Sequence, residues 1–294
     1  MYVVVGANGY LGSYVVKNIL EKTNENVLAL ARHFDLWEDE KRVEWKHCDI
    51  SCREEVDKAA EYIGTMEQVK VVYLSAYHLP DKVKENPKLA WDINITSLSY
   101  FLNRVENIKC LFYISTEMVY GEGDRNHLFK EEDALNPVNI YGKQKKVAEA
   151  IVTGYGYNVL RLPFMIGPSI LSKKKHFYDY ILETLEKHQP IEMFEDALKS
   201  ALHFDTAAGV IVDLCENYME DMPKIMNVAG DEVLSKYDIG LRIARAKGLD
   251  ENLVIPIKMC NDDKIFAEKR AGCTLLDNQK IKKVLQLSEL KLRF

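Results

Sequence analysis

An α/β fold, with a doubly wound parallel sheet and a smaller C-terminal α/β lobe, is predicted by three observations. Strand and helix patterns alternate along the first half of the 294-residue chain, which is typical of parallel strands joined by right-handed crossovers. A glycine-rich turn follows the first strand and precedes a helix. The composition, 47% hydrophobic and 29% charged, is that of a globular protein with a sizeable core.

The first twelve residues predict a turn that binds a dinucleotide. A short β-branched run ends at Gly6, and apolar residues then recur at helical spacing. Gly6 would adopt a conformation closed to other residues, Gly9 would let a diphosphate approach the main chain, and Gly12 would let the helix lie close to the strand. The spacing is G-x-x-G-x-x-G rather than the plain dinucleotide motif G-x-G-x-x-G, so a simple tight turn is the alternative.

The overall charge and the cysteine pattern exclude several classes of protein. A net charge of -6 disfavours binding to nucleic acid or to an anionic membrane surface. The six cysteines form no C-x-x-C pair, so we expect reduced thiols and no structural metal. The chain shows neither a secretory leader nor a run of 18 apolar residues, and we therefore expect a cytoplasmic protein.

The elements of the first half follow one another in a regular order. Strand patterns cover 26–30, 43–46, 69–74, 110–114 and 158–162. Helical patterns lie between them, over 52–60, 87–107 and 141–153. Residues 1–162 are therefore predicted to form a dinucleotide-binding domain.

The second half has a looser pattern. Helices are predicted over 178–187, 205–217 and 235–247, with short strands near Ile225 and Val254. Residues 163–294 are predicted to form mainly a substrate-binding lobe, with parts near 201–230 returning to the first domain. Because ligands bind outside the carboxyl ends of the strands in open α/β sheets, this lobe would close the substrate cleft.

Tyr141 and Lys145 are candidates for acid–base chemistry. Tyr141 is the one tyrosine of sixteen that is followed four residues later by lysine, and on a helix this spacing places both side chains on one face. We expect the ammonium to lower the pKa of the phenol, which could then exchange a proton with a carbonyl or an alcohol. Ser115 and Thr116 end a predicted strand on the same edge of the sheet. A surface aromatic beside a lysine is the alternative.

Taken together, these segments resemble the extended short-chain dehydrogenase/reductase family, of the NAD-dependent epimerase/dehydratase type, over nearly the whole chain. The resemblance implies a Rossmann-type fold. The segments that carry it are 6–12, 48–50, 74–76, Asn94, 115–121, 141–145 with Glu149, and 160–161 leading to 167–168.

The resemblance also implies a role for each matching residue. Tyr141 would be the acid/base, Lys145 would hold the nicotinamide ribose, Thr116 would hydrogen-bond the reacting oxygen, and Glu117 could act as a second acid. The cofactor site would comprise the glycine turn, the ends of the strands and the catalytic pair: Gly6, Asn8, Gly9, Tyr10, Leu11, Gly12, Arg32, Asp49, Ile50, Leu74, Ser75, Ala76, Ser115, Tyr141 and Lys145.

The end of the second strand favours NADP as the cofactor. An acidic residue about 20 positions after the glycine turn would bind the ribose hydroxyls of NAD, but this chain has Arg32 there. A guanidinium suits the 2′-phosphate of NADP. Asp35, three residues later, leaves NAD open.

Three features resemble the dTDP-4-dehydrorhamnose reductase branch of the family. Met118 cannot transfer a proton, although dehydratases carry an acid at this place. Phe164 stands where epimerases and dehydratases often have asparagine, and the segment from Arg270 to Lys280 fits the reductase pattern. This likeness implies the reduction of a 4-keto sugar on a nucleoside diphosphate, with Glu117, Met118, Phe164 and Arg270 contacting the substrate. Lys173 to Lys175 and Lys199 are further candidates for binding its diphosphate.

Two other functions remain open at the level of sequence. One is a nucleotide-sugar epimerase, and the other is a non-catalytic NADP-binding regulatory subunit, because the regulatory subunit of methionine adenosyltransferase resembles this reductase. The helices over 87–107 and 141–153 are candidates for a homodimer interface, although their apolar faces could equally pack on the sheet.

Overall fold

The computed structural model describes residues 1–33, 36–37, 39–259 and 266–294 of the chain. Its strands are β1 (Tyr2–Val5), β2 (Val27–Ala31), β3 (Val43–His47), β4 (Val69–Tyr73), β5 (Ile108–Thr116), β6 (Leu128–Phe129), β7 (Asn158–Leu162), β8 (Met165–Ile166), β9 (Ile191–Phe194), β10 (Leu198–Lys199), β11 (Leu202–His203), β12 (Ile225–Asn227), β13 (Leu234–Ser235), β14 (Val254–Ile257) and β15 (Cys273–Leu276). Its α-helices are α1 (Tyr10–Lys22), α2 (Arg53–Gly64), α3 (Pro80–Glu85), α4 (Pro87–Trp91), α5 (Ser97–Arg104), α6 (Ile140–Gly154), α7 (Phe177–Glu186), α8 (Phe204–Glu216), α9 (Lys236–Ala246) and α10 (Gln279–Leu285).

Seven parallel strands form the central sheet, in the order β12-β7-β5-β4-β1-β2-β3. Chain order reverses on either side of β1: β2 and β3 lie on one side, and β4, β5, β7 and β12 lie on the other. The crevice outside the carboxyl ends of the strands at such a reversal is where open α/β sheets bind their ligands. The glycine turn begins at that point, directly after β1.

Alternate residues of each strand enter two apolar layers, one on each face of the sheet. Val4 of β1 belongs to the layer that contains α1 and α8. Val3 and Val5 belong to the layer that contains α2, α5 and α6. Because both faces are covered, every residue of β1, β2, β4 and β7 is buried.

The second half of the chain contributes to both parts of the molecule. Strand β12 extends the central sheet beside β7, and α8 packs on α1. The other elements form small sheets, in the orders β13-β10-β15-β6 and β14-β9, around a core that includes α7 and α9. The exact division of the chain at residue 162 stays a prediction.

The single helix expected over 87–107 is wrong. The structure has α4, a π-helical turn over Asp92–Thr96, and α5, which ends at Arg104. Helix α3 precedes them and was not expected. Asn86 separates α3 from α4 because a residue before proline is driven out of the helical conformation. The short strands β6, β8, β10, β11 and β13 were also missed, because two residues show no periodicity.

The described residues contain no helix long and apolar enough to cross a membrane. Nor do they contain a group of three or more His, Cys, Asp or Glu side chains placed to hold a metal ion.

Candidate active site

The glycine turn has the shape that a dinucleotide requires. Gly6 has a φ of +89°, and a Cβ atom there would lie 3.1 Å from the backbone nitrogen of Ser75. A Cβ on Gly12 would lie 2.3 Å from the carbonyl oxygen of Gly6, so any other residue would displace the backbone. No described side chain caps the start of α1 at Gly9, and the N-terminal N–H groups of this helix are suited to a phosphate. The residues present therefore fit a nicotinamide dinucleotide.

A loop from the second half of the chain crosses this turn. Lys174 Nζ donates to the carbonyl oxygen of Asn8 at 2.7 Å, and the Tyr10 hydroxyl donates to the carbonyl oxygen of Lys175 at 2.6 Å. Lys175 also pairs with Glu183 at 2.5 Å. The sequence suggested this lysine run for the diphosphate of the substrate, whereas the structure places Lys174 over the predicted cofactor turn. Leu11 is buried in α1 beneath it.

The predicted adenosine end lies at β2 and β3. Arg32 is 65% exposed, and its Nη1 lies 3.9 Å from Asp49 Oδ2. Burial acts to raise the pKa of the Asp49 carboxyl, but hydrogen bonds from Ser51 hold it below its ordinary value. Ile50 is buried in the apolar layer below. Asp35, which leaves NAD open, lies outside the described residues.

The segment after β4, which is predicted to line the dinucleotide path, is fixed by Asn94. Leu74 N–H donates to the carbonyl oxygen of Val5 at 2.9 Å, and Ser75 and Ala76 continue from it. Asn94 Oδ1 accepts from the N–H of Tyr77, and its Nδ2 donates to the carbonyl oxygen of the same residue. The π-helical turn thus directs Asn94 inward, where it holds this segment against α6.

Tyr141 lies near the start of α6, where Asn139 Oδ1 caps the helix by accepting from Gly142 N–H at 2.8 Å. The Tyr141 ring is buried in a small apolar cluster with Met118. Burial raises the pKa of its phenol, and the negative charge of Glu117 raises it further. The expectation that Lys145 lowers this pKa is therefore wrong, because removal from water disfavours the phenolate.

Lys145 is fully buried one helical turn further along α6. Its Nζ donates to the carbonyl oxygen of Ile114 at 2.5 Å and lies 4.0 Å from the centre of the Tyr113 ring. Burial lowers the pKa of this ammonium to about 7, against the opposing effect of Glu149. The lysine is thus directed at the end of β5, where the reacting groups are expected.

Ser115, predicted as a cofactor contact, takes part in a buried ion pair. Its hydroxyl donates to Glu149 Oε1. Arg161 donates to the same carboxylate from Nε and Nη2, at 3.1 and 2.7 Å, and from Nη1 to the Tyr120 hydroxyl at 2.7 Å. Both charged side chains are at most 3% exposed. The network fixes the end of β5 against α6 and β7.

The segment after β5 brings three predicted residues together. Thr116 Oγ1 accepts from the N–H of Met118 at 3.3 Å, which orients both residues at the end of the strand. Glu117 is buried, and its Oε1 lies 3.5 Å from Lys199 Nζ. Burial raises the pKa of the Glu117 carboxyl, although Lys199 and the N–H of Phe164 act to lower it.

Arg270, which stays a prediction for the substrate diphosphate, pairs with Asp81 of α3. Its Nη2 lies 2.8 Å from Asp81 Oδ2, and its guanidinium lies over the Phe266 ring. Sequence reasoning missed Lys236, which lies at the start of α9. Its ammonium faces three aromatic rings, and burial together with the charges of Lys199 and Arg270 lowers its pKa to about 8. The capping box formed by Ser235 with Asp238 marks the start of this helix but gives no function to Lys236.

Comparison with known proteins gives a family for the whole chain. The family model described as RmlD substrate binding domain matches residues 1–293. The probable low-salt glycan biosynthesis reductase Agl14 of Haloferax volcanii is 23% identical over 279 residues, which covers 94% of this chain and 89% of that protein. Methionine adenosyltransferase 2 subunit beta of Danio rerio is 25% identical over 271 residues, which covers 86% of this chain and 76% of that protein.

Solved structures confirm the predicted fold class. A dTDP-4-dehydrorhamnose reductase from Clostridium acetobutylicum has a TM-score of 0.77 at 20% identity, and the match covers 99% of this chain and 94% of that chain. A UDP-glucuronic acid 4-epimerase from Bacillus cereus, in complex with UDP-glucuronic acid and NAD, has a TM-score of 0.81 at 18% identity, with 98% and 94% covered. At these identities the likeness shows the Rossmann-type α/β fold and nothing finer.

Proposed function

Because the chain belongs to the RmlD substrate binding domain family, we propose that it is an NADP-dependent reductase of a 4-keto sugar carried on a nucleoside diphosphate. The observation that carries the proposal is the position of Tyr141. Its phenol is buried beside Met118 at the end of β5, and the charge of Glu117 raises its pKa. The glycine turn lies on the same edge of the sheet, after β1. A proton donor and a dinucleotide cradle at one edge are what a carbonyl reductase requires.

The cofactor would supply a hydride to the carbonyl carbon of the sugar. Tyr141 would donate its phenolic proton to the carbonyl oxygen, and its raised pKa keeps that proton in place at neutral pH. Thr116 Oγ1 would hydrogen-bond the same oxygen. Lys145 would hold the nicotinamide ribose. Glu117 is a second candidate donor, because burial raises the pKa of its carboxyl.

Arg32 is the residue we propose for discrimination between the two cofactors. Its side chain extends into solvent beside Asp49, and a guanidinium binds a 2′-phosphate through paired hydrogen bonds. Arg32→Ala is expected to raise the KM for NADPH by about tenfold or more, with the KM for NADH unchanged. Equal effects on both cofactors would favour NAD.

The test is turnover of a panel of 4-keto-6-deoxy sugars linked to dTDP, UDP and GDP, followed by the loss of nicotinamide absorbance. Tyr141→Phe should lower the rate by about 10²- to 10⁴-fold. Tyr155→Phe is the matched control, because Tyr155 is an exposed tyrosine at the end of α6. Interconversion of sugars without net loss of NADPH would favour an epimerase. Tight NADPH binding without turnover of any sugar would favour a regulatory subunit.

A further inference from the structure

Lys236 is a partly buried cation that the proposed reaction does not use. Its Nζ lies 5.6 Å from the ring centres of Phe164 and Phe177 and 5.7 Å from that of Phe194. Within the part of the chain that the structure describes, no carboxylate lies at ion-pair distance from it. Aromatic faces attract an ammonium, but they do not supply the hydrogen-bond acceptors that water would.

The neighbouring cations already have carboxylate partners. Lys199 pairs with Glu117 at 3.5 Å, and Arg270 pairs with Asp81 at 2.8 Å. Both cations lie close enough to Lys236 to lower its pKa. Among the described residues, the group therefore has a surplus positive charge at Lys236, which is partly exposed and accessible to a ligand. A cation that no neighbouring carboxylate neutralises attracts an anion.

The surplus charge lies at the reacting end of the cleft. The charge of Glu117 acts both on the Tyr141 phenol and on the Lys236 ammonium. The geometry connects the two places, because Lys199 pairs with Glu117 at 3.5 Å and the ring of Phe164, which follows β7, faces Lys236. An anion bound at Lys236 would therefore lie near the sugar whose carbonyl Tyr141 protonates.

We propose that Lys236, flanked by Lys199, is a subsite for an anionic oxygen group of the substrate, either a carboxylate on the sugar or a phosphate of the nucleotide. The proposal rests on the proposed function, in that the substrate is a nucleotide sugar. Binding of the anion places its oxygens opposite the ammonium, on a side of the group lined by the rings of Phe164, Phe177 and Phe194. Lys236 is thus a specificity-determining residue rather than a catalytic one.

The test is equilibrium binding to the NADPH-loaded protein, with UDP-glucose, UDP-glucuronate and inorganic pyrophosphate as probes. Lys236→Met should weaken the binding of an anionic probe by about tenfold or more, and Lys236→Arg should restore most of it. A loss confined to UDP-glucuronate assigns the subsite to a sugar carboxylate. A loss shared by all three probes assigns it to a phosphate. Lys258→Met is the matched control, because Lys258 is exposed and pairs with Glu195 at the surface.

Unchanged affinity of all three probes in Lys236→Met overturns the proposal, as does failure of every probe to bind the unmodified protein. Should Lys236→Met not fold, Lys236→Gln serves as the second variant, with the same two outcomes. Failure of the proposed function is distinguishable from failure of the subsite. If no 4-keto sugar is turned over but a probe still binds in a Lys236-dependent manner, the reductase proposal falls and the subsite stands.

Discussion

Two buried carboxylates on the same edge of the sheet are held in different ways. Glu149 of α6 receives three hydrogen bonds from Arg161 and one from Ser115. Glu117, after β5, is equally buried but has Lys199 at a looser 3.5 Å. The first charge is matched by a planar guanidinium in two-pronged geometry. The second is matched incompletely, and burial raises its pKa.

Glu149 and Arg161 form a structural ion pair, whereas the charges around Glu117 are available to a ligand or a proton. A ligand would add no stabilisation to a carboxylate whose hydrogen-bonding capacity is already used by its partners. Around Glu117, the lysines Lys199 and Lys236 outnumber the carboxylate, so this region can still bind an anion or move a proton. Four predictions test the difference, from the largest expected effect to the smallest.

Arg161→Met should lower the free energy of unfolding by about 3–5 kcal/mol, because it leaves the charge of Glu149 buried without its partner. Denaturant unfolding measures this loss. Glu149→Leu combined with Arg161→Met should recover most of it, since an apolar pair removes the unmatched charge. Arg245→Met, in an exposed pair with Glu251, should change stability far less, because water screens the pair. If Arg161→Met cost no more than Arg245→Met, the pair would not be structural.

Lys145→Met tests the effect of a buried ammonium whose hydrogen-bond partner is the Ile114 carbonyl oxygen, with no carboxylate of the described residues at hydrogen-bond distance. Its pKa is about 7 in the folded protein, below its ordinary 10.5. Between these values the unfolded state holds more protons than the folded state. The stability of the unmodified protein therefore rises with pH relative to Lys145→Met, by up to about 1.4 kcal/mol per pH unit.

Urea unfolding on both sides of pH 7 measures this difference for Lys145. Lys143→Met, at an exposed position on the same helix, is the control. Its stability should change with pH in parallel with that of the unmodified protein. Parallel curves for Lys145→Met as well would mean that Lys145 stays fully charged in the folded protein.

Ser115→Ala removes the hydroxyl that completes the partners of Glu149 and should cost about 1–3 kcal/mol of unfolding free energy. The affinity for NADPH should not change if the hydroxyl serves the ion pair alone. Ser51→Ala is the control, because Ser51 donates to Asp49 at an exposed position where water can replace it. A weaker affinity for NADPH with unchanged stability would indicate that the Ser115 hydroxyl contacts the cofactor.

Glu117→Gln should give the smallest change in the free energy of unfolding, and the sign of this change should vary with pH. Burial raises the pKa of Glu117, so the folded state retains a proton that the unfolded state has released. The stability of the unmodified protein therefore falls as the pH rises above the ordinary pKa of a carboxyl group. Glu117→Gln becomes more stable relative to the unmodified protein over the same range. Glu149→Gln should instead be less stable throughout, because it weakens the Arg161 pair. Similar pH profiles for the two variants would contradict the comparison.

Local patterns in the sequence were sufficient to predict the central sheet and the placement of Tyr141 and Lys145. Buried runs of β-branched residues marked the strands of the first half, and a four-residue spacing put the two side chains on one face of α6. The glycine turn was predicted for the same reason: the steric demand at Gly6 and Gly12 arises from atoms nearby in the chain and in the adjacent strand. The helix expected over 87–107 is interrupted by the π-helical turn over Asp92–Thr96, which the apolar spacing did not indicate. Helix α3 and its break from α4 were missed because the effect of Pro87 on Asn86 was not weighed.

Only the tertiary structure decided which charges meet. The sequence left Arg270 free for a diphosphate, but folding placed Asp81, 189 positions away, against it. It suggested that Lys145 would lower the pKa of Tyr141, whereas burial raised that pKa. Lys236 carried no local signal of function and became a surplus cation only when Lys199 and Phe164 were brought beside it. Periodicity and glycine sterics are local properties of the chain, whereas burial and charge balance depend on residues that only folding brings together.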